Sequence, residues 1–407
     1  MHHEVKTIAG VTTLFAEIPT FNSTTVQVLV KAGSIYETKE TNGISHFLEH
    51  LFFKGGKKYP TPKAVAEVVD AFGGEFNAFT SEEYAGYYVK CAPEYIALAL
   101  GVLADMMLDA QFPNDELERE KGVVIQEIKM YEDNPRRQVS EKRKERYYGD
   151  NSYGRSVLGT VDTVKSFRQD DLFAHKQKLY AKDNLVIVVA GALPDKADIE
   201  QQIGELFSDL PETKSSALPV LLPYKPSLQE ASYDQKTQQN HVILSADGFS
   251  THHNEKYAAS VLATLFGGTM SSRLFQEIRE KQGLCYYVGA SHYENDADGV
   301  FFIRAWIEKE RRQQWLQAIY TEIAKIAEGD VTQTEVDLAL GNVKWRTQMG
   351  IETSDQLANF VGFQRLFEKN IETMEEILAK YEAVTLADVQ RVAEKLHKKH
   401  VYAYRIQ

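Results

Sequence analysis

Residues 43–54 read Gly43-Ile44-Ser45-His46-Phe47-Leu48-Glu49-His50-Leu51-Phe52-Phe53-Lys54. Two histidines stand four apart, and a glutamate immediately precedes the second. On an α-helix each residue turns by about 100° and rises about 1.5 Å, so His46 and His50 lie about 40° and about 6 Å apart on one face. That spacing suits two imidazole nitrogens holding one tetrahedral zinc ion at about 2.0 Å each. Glu49 points about 60° away from His46. It is too close in sequence to be the natural third ligand, and it is well placed to take a proton from a zinc-bound water. The plain alternative is an amphipathic helix with two hydrogen-bonded core histidines, and the flanking sequence decides between them.

Outward from this stretch, Asn42 is a plausible N-cap and Gly55-Gly56 stops the helix. Thr61-Pro62 opens the next helix, which ends at Gly73-Gly74. Upstream, Val5–Ile8 and Val11–Ile18 read as strands about an Ala9-Gly10 turn, and the alternating, β-branched Thr24–Lys31 reads as a half-buried strand. Downstream, Glu75–Ser81 and Tyr84–Cys91 form a strand pair. Pro93 and Pro113 open helices, and Asn184–Leu193 is a strong strand. A proline-rich stretch at 211–226 reads as a linker.

Beyond the linker the order strand, helix, helix, strand, strand, helices, strand occurs again, offset by about 214 residues. A repeat this long is a duplicated domain. The expected fold is therefore α+β, with two homologous domains, each a mainly antiparallel sheet packed against helices: 1–210, which carries the candidate metal site, and 227–407. At the 214-residue offset His46, Glu49 and His50 fall near Ser260, Ala263 and Thr264, so the second copy has no metal site.

The 407 residues carry 46 basic and 58 acidic side chains, a net charge of −12, which argues against general nucleic-acid binding. Two cysteines, Cys91 and Cys285, build no disulfide framework and read as buried free thiols. No basic-then-apolar leader is seen and no apolar run approaches about 18 residues, so a cytoplasmic protein is expected.

A catalytic zinc takes three protein ligands and keeps one open position. The helix from Pro113 offers Glu120 and Glu127, seven apart and so within about 20° on one stripe. With Val123, Val124 and Ile128 nearby, that stripe is not simply a solvated face. One of the two glutamates ligates, and the other steadies a ligating histidine. Glu116 and Glu118 read as solvated.

His46-x-x-Glu49-His50 is the inverted zincin motif. It is followed by 76 residues, 51 to 126, and then by Glu127. In that spacing the chain resembles the pitrilysin, or insulinase-like, metallopeptidase family, and most of all its small branch, which includes mitochondrial processing peptidase. The resemblance implies His46, His50 and Glu127 as ligands of one zinc ion, Glu49 as general base, and Glu120 as the supporting glutamate. Asn77-Ala78-Phe79-Thr80-Ser81 resembles the family's substrate-binding edge strand, and Arg279 to Tyr286 resembles its Arg-x6-Tyr element. By the resemblance Arg279 and Tyr286 stabilise the oxyanion or hold the substrate backbone. Gly267-Gly268-Thr269 is similar to the small branch's glycine-rich loop, with threonine in place of the third glycine.

The expected function is that of a zinc endopeptidase acting on unfolded or short peptides in a closed chamber. The competing function is that of a non-catalytic assembly or peptide-binding subunit of a heteromeric processing peptidase. The expected assembly is a homodimer; a heterodimer with a metal-free relative is the rival. Neither nucleic acid nor membrane is expected as a partner. The remaining histidine pairs, His252-His253 and His397/His400, do not read as metal sites, and Tyr287 reads as an ordinary core aromatic.

Overall fold

A computed structural model of the chain describes residues 2–212, 230–235, 237, 239–368, 370–395 and 402–406. The strands in chain order are β1 (His2–Ile8), β2 (Val11–Glu17), β3 (Thr24–Val30), β4 (Glu75–Thr80), β5 (Ala85–Cys91), β6 (Leu185–Gly191), β7 (Glu230–Tyr233), β8 (Asn240–Asp247), β9 (Cys285–Glu294), β10 (Gly299–Ile307) and β11 (Tyr402–Ile406). The helices of the first half are α1 (Ile44–Phe52), α2 (Pro62–Ala71), α3 (Ile96–Leu108), α4 (Asn114–Glu132), α5 (Pro135–Tyr148), α6 (Val161–Ser166), α7 (Gln169–Leu179) and α8 (Lys196–Phe207). Those of the second half are α9 (Lys256–Ala263), α10 (Arg312–Ala327), α11 (Gln333–Gln348), α12 (Ser354–Phe367), α13 (Met374–Glu382) and α14 (Leu386–Glu394).

The strands form two sheets, ordered β1-β2-β6-β3-β5-β4 and β7-β11-β8-β10-β9. The two orders superimpose, with β1 as an extra strand in the first. Each sheet has one parallel pairing, β2 with β6 and β7 with β11, and is antiparallel elsewhere among the described residues. The α+β class and the duplication expected from sequence are thus present. β4 and β9 are the corresponding edge strands.

The chain forms two compact units, and neither is contiguous in sequence. The first comprises Met1–Lys129, Arg155–Val220 and Gly350–Glu372; the second comprises Met130–Gly154, Leu221–Met349 and Thr373–Gln407. The spans 1–210 and 227–407 read from sequence therefore need correction. α5 belongs with the second unit, and α12, from the second half, belongs with the first. The proposed linker at 211–226 lies beyond residue 212 outside the described residues.

The placement of α12 follows from its packing. Leu357, Ala358 and Val361 are fully buried and join a cluster with Leu14, Leu29, Val186 and Val188 of the first sheet. Polar ends finish the contact: Thr25 Oγ1 lies 2.9 Å from Ser354 Oγ, and Gln27 Nε2 donates to Asn359 Oδ1 at 2.8 Å. Gly362 permits the close approach, since a Cβ there would stand 2.7 Å from Leu29 Cδ1. This corrects the reading of β3 as half-buried: all seven of its residues are buried, because α12 covers the face that local alternation assigned to solvent.

In the second unit, Val242, Leu244, Phe301, Ile303 and Ala305 turn one sheet face into a core with Leu262, Trp315, Ile319 and Val336. α5 lies on the other face. No helix among the described residues is long and apolar enough to cross a membrane.

Candidate metal centre

α1 is fastened at its start by a residue that the sequence reading passed over. The N-cap is Gly43, at φ 93°, and not Asn42. The buried Glu37 carboxylate supplies the cap, accepting from Gly43 N at 2.8 Å, Ser45 N at 2.9 Å and Asn42 Nδ2 at 2.9 Å. Burial raises the Glu37 pKa, against the lowering by these donors. Glycine is required at 43, because a Cβ would stand 2.7 Å from Gly159 Cα in addition to the positive φ. Ile44, Phe47, Leu48, Leu51 and Phe52 form the helix's buried face. Phe52 packs against Tyr87 and Tyr180, each at 5.3 Å, whose hydroxyls meet at 2.6 Å. Ser45 Oγ lies 2.9 Å from His175 Nε2. These contacts fix the helix's rotation and so the direction of its histidines.

α4 brings up the other side. Leu117, Glu120, Val124 and Ile128 are its buried residues. Val123 is 47% exposed and so does not belong to the stripe assigned to it from sequence. Along that stripe Glu127 Oε2 stands 3.6 Å from His46 Nε2 and 3.5 Å from His50 Nε2. His46, His50 and Glu127 are the one group of three or more such side chains, among the described residues, with potential ligand atoms all within 4.8 Å of one another. The separations exceed ordinary N–H···O hydrogen bonds. They are close to the edge of a tetrahedron whose vertices lie about 2.0–2.1 Å from its centre, about 3.3 Å. The donor set therefore fits zinc.

Glu120 is 3% exposed and holds the back of this set. Its Oε1 lies 3.1 Å from His50 Nδ1, and Lys54 Nζ donates to its Oε2 at 2.6 Å. Burial raises the Glu120 carboxyl, but His50 and Lys54 outweigh this and leave its pKa lowered. His50 is affected in the opposite sense. Burial lowers its pKa, yet Glu120 and Glu127 carry it up to about 9 in the metal-free site. His46 is pushed down to about 4, first by burial and then by the His50 charge, against Glu127. The metal-free pair thus holds one neutral and one protonated imidazole at neutral pH.

The Glu49 pKa is raised, chiefly by burial, with Thr80 the main opposing influence. The Thr80 hydroxyl donates to Glu49 Oε2. Thr80 ends β4, the expected substrate strand, and its role was not read from sequence; the alternation of β4 held the signal, since it sets Phe76, Ala78 and Thr80 on one face. Phe76 meets Phe53, just beyond α1, at 5.5 Å. Asn77 and Phe79 face the other way. The Phe79 ring packs against Tyr84 and Phe363, so β4 offers the Phe79 backbone at the edge while its ring is used internally. β4 pairs with β5 on one side only, among the described residues.

Arg279 and Tyr286 belong to the second unit. There the Arg279 guanidinium lies 4.5 Å from the Phe275 ring centroid and 5.4 Å from that of Tyr286, which is 71% exposed. Tyr287, expected in the core, is instead 40% exposed and stacked on Trp306 at 4.5 Å. The β9 register is interrupted at Tyr286, between the pairs Tyr287–Trp306 and Cys285–Ile307. His252 meets Asp296 at 2.5 Å and joins no metal cluster among the described residues. Both cysteines are free thiols; Cys91 is buried and Cys285 is half-buried.

Residues 12–161 match the family model described as Insulinase (Peptidase family M16), and residues 166–343 match the Peptidase M16 inactive domain. The chain belongs to peptidase family M16. A relative in Bacillus subtilis (strain 168), named uncharacterized zinc protease YmxG, is 35% identical over 389 residues, covering 95% of this chain and 93% of its own. An uncharacterized zinc protease of Streptomyces coelicolor is 34% identical over 383 residues, 92% of this chain and 83% of its own. A solved structure titled as a protease from Helicobacter pylori shares the fold, with a TM-score of 0.91 over 100% of this chain and 99% of its own at 22% identity. The M16 assignment agrees with the resemblance drawn from the spacing of His46, His50 and Glu127.

Proposed function

We propose that this M16 chain is a zinc-dependent endopeptidase that cuts unfolded or short peptides. The convergence of His46 Nε2, His50 Nε2 and Glu127 Oε2 at tetrahedral spacing carries the reading. Zinc bound there supplies a Lewis acid and brings the pKa of water to about 7. Glu49 takes the proton of the attacking water and returns it to the leaving amine. Its raised pKa suits both roles, and Thr80 orients the carboxylate. Glu120 fixes the His50 ring through Nδ1, which presents Nε2 to the metal. The open edge of β4 accepts the substrate as an added strand, read through backbone pairing at Asn77, Ala78 and Phe79. Arg279 and Tyr286, by their resemblance to the family's Arg-x6-Tyr element, hold the substrate or its oxyanion.

The test is a peptide-library digest with and without a chelator, run beside Glu49→Gln. Cleavage is expected to stop on chelation. The variant is expected to keep zinc and lose about 10²–10⁴ in kcat, since an amide accepts no proton. Near-normal turnover by the zinc-loaded variant would remove Glu49 from its role. Assembly is proposed as a homodimer. Light scattering read with activity checks it: an active monomer, or activity only on adding a metal-free relative, contradicts it.

A further inference from the structure

The face of the second sheet that α5 covers carries two arginines, Arg143 and Arg304, with no ion-pair partner among the described residues. Strand pairing sets Ser245 and Asp247 of β8 on the same face as Arg304 and Trp306 of β10. On α5, Arg136, Ser140, Arg143 and Tyr147 recur at helical spacing. Both ends of this stripe are fixed. The Arg136 guanidinium lies 3.6 Å from the Trp306 ring centroid, and the Tyr147 hydroxyl donates to Asp247 Oδ1 at 2.5 Å. Arg143 therefore falls between them, over the stretch that holds Arg304 and Ser245.

Neither arginine forms an ion pair among the described residues. Arg143 Nη1 is buried without a hydrogen-bond partner, and so is the hydroxyl of Ser245, a residue only 1% exposed. Arg304 is exposed and lies 4.2 Å from the Phe302 ring centroid. Its pKa is lowered by the surrounding protein and next by the Arg143 charge, so the two guanidinium groups feel each other. Nearby carboxylates are already engaged. Asp298 accepts from Asn295 and Tyr148 through Oδ1 and feels the Arg143 charge without forming an ion pair with it, Glu141 pairs with Lys144, and Glu145 pairs with Lys142.

The first unit shows how this position is otherwise neutralised. Lys90 of β5 precedes Arg304 by the 214-residue offset, and its Nζ lies 2.8 Å from Asp355 Oδ1 on α12. Strand cation and helix carboxylate pair there, whereas in the second unit strand cation meets helix cation. α5 carries six arginines and lysines against two glutamates in a chain of net charge −12, so the basic face is local. Two adjacent guanidinium groups present planar forks that match a carboxylate. Beside them Tyr287, stacked on Trp306, is open to solvent and directly follows Tyr286.

We propose that Arg143 and Arg304 form a carboxylate-binding site that selects peptide substrates bearing an acidic side chain or a free C-terminal carboxylate. The substrate class rests on the peptidase reading above. The test is fluorescence anisotropy on the full-length Glu49→Gln protein at low salt, with three labelled ten-residue peptides. One is neutral and amidated, one carries a single Gln→Glu change, and one is neutral with a free C-terminus. At least one acid-bearing peptide is expected to bind about tenfold tighter than the neutral one, and which one does so names the carboxylate's source. The preference is expected to shrink with salt. It is expected to vanish in Arg304→Gln, and in Arg143→Glu, which supplies the counter-charge as Asp355 does in the first unit. Equal binding of all three peptides, a salt-insensitive preference, or a preference kept in both variants with native circular dichroism overturns the site. Cleavage of the neutral peptide by the wild-type chain is scored separately. Cleavage without charge preference removes this site alone, and charge preference without cleavage removes the peptidase reading alone.

Discussion

α1 and α9 hold the same place in their units, each following the strand that pairs with the middle of its sheet and preceding the edge strand. Both bury an apolar face. Three of the differences remove the metal-site residues. Where α1 has His46, Glu49 and His50, the repeat gives Ser260, Ala263 and Thr264. The Thr264 hydroxyl donates to Ser260 O at 2.9 Å, and Ala263 is buried. The second copy uses these positions for its own helix and core. The fold thus asks only for the apolar face, and the chemistry is grafted on by three side chains and the glutamates of α4.

The largest expected effect comes from erasing that difference. His46→Ser, Glu49→Ala and His50→Thr together make α1 resemble α9. Zinc content should fall to background and peptide hydrolysis by orders of magnitude, while the metal-free melting curve stays close to that of the metal-free parent. Zinc retained by this variant would break the comparison.

A second test uses the exchanged helices. α12 seals the metal-bearing unit although it comes from the far half of the chain. Leu357→Ala removes a fully buried side chain there and should cost about 2–5 kcal/mol in urea unfolding. The loss should appear in a probe of the first unit, such as zinc release. A loss confined to the second unit would contradict the chain path described above.

The smallest effects concern tuning. With His50 at about 9 and His46 at about 4 in the metal-free site, zinc uptake displaces one proton, from His50. Affinity should rise about tenfold per pH unit between pH 5 and 8 and level off above about 9. A hundredfold rise per unit would mean that both histidines titrate. Because His50 is raised above its ordinary value, its charge stabilises the metal-free fold below about pH 6.5, and that stability is lost as pH rises through about 9. Glu120→Gln removes the main support for this raised value. It should weaken zinc binding about 10–100-fold without abolishing it.

Much of this was legible in the sequence because it is local or periodic. The histidine spacing, the stripe shared by Glu120 and Glu127 and the strand pair ending at Cys91 are each set by helix or strand repeat. The repeated order of elements gave away the duplication. The unread features are long-range. β3 looked half-buried because nothing near it announces α12, some 330 residues away. The true cap of α1 is Glu37, whose carboxylate reaches across a loop, whereas Asn42 had the right residue type at the right place for a local cap. Tyr287 looked like core, but it pairs with Trp306 on the sheet face opposite Val288 and Ala290. The helix exchange moved 130–154 and 350–372 across a boundary that composition alone had drawn.

The central claim is one zinc ion per chain, held by His46, His50 and Glu127. Metal analysis of the purified protein beside its His50→Ala variant tests it most directly. About one zinc per wild-type chain is expected, and none retained by the variant after dialysis. Two zinc ions per chain, or a zinc content that His50→Ala leaves unchanged, would contradict it.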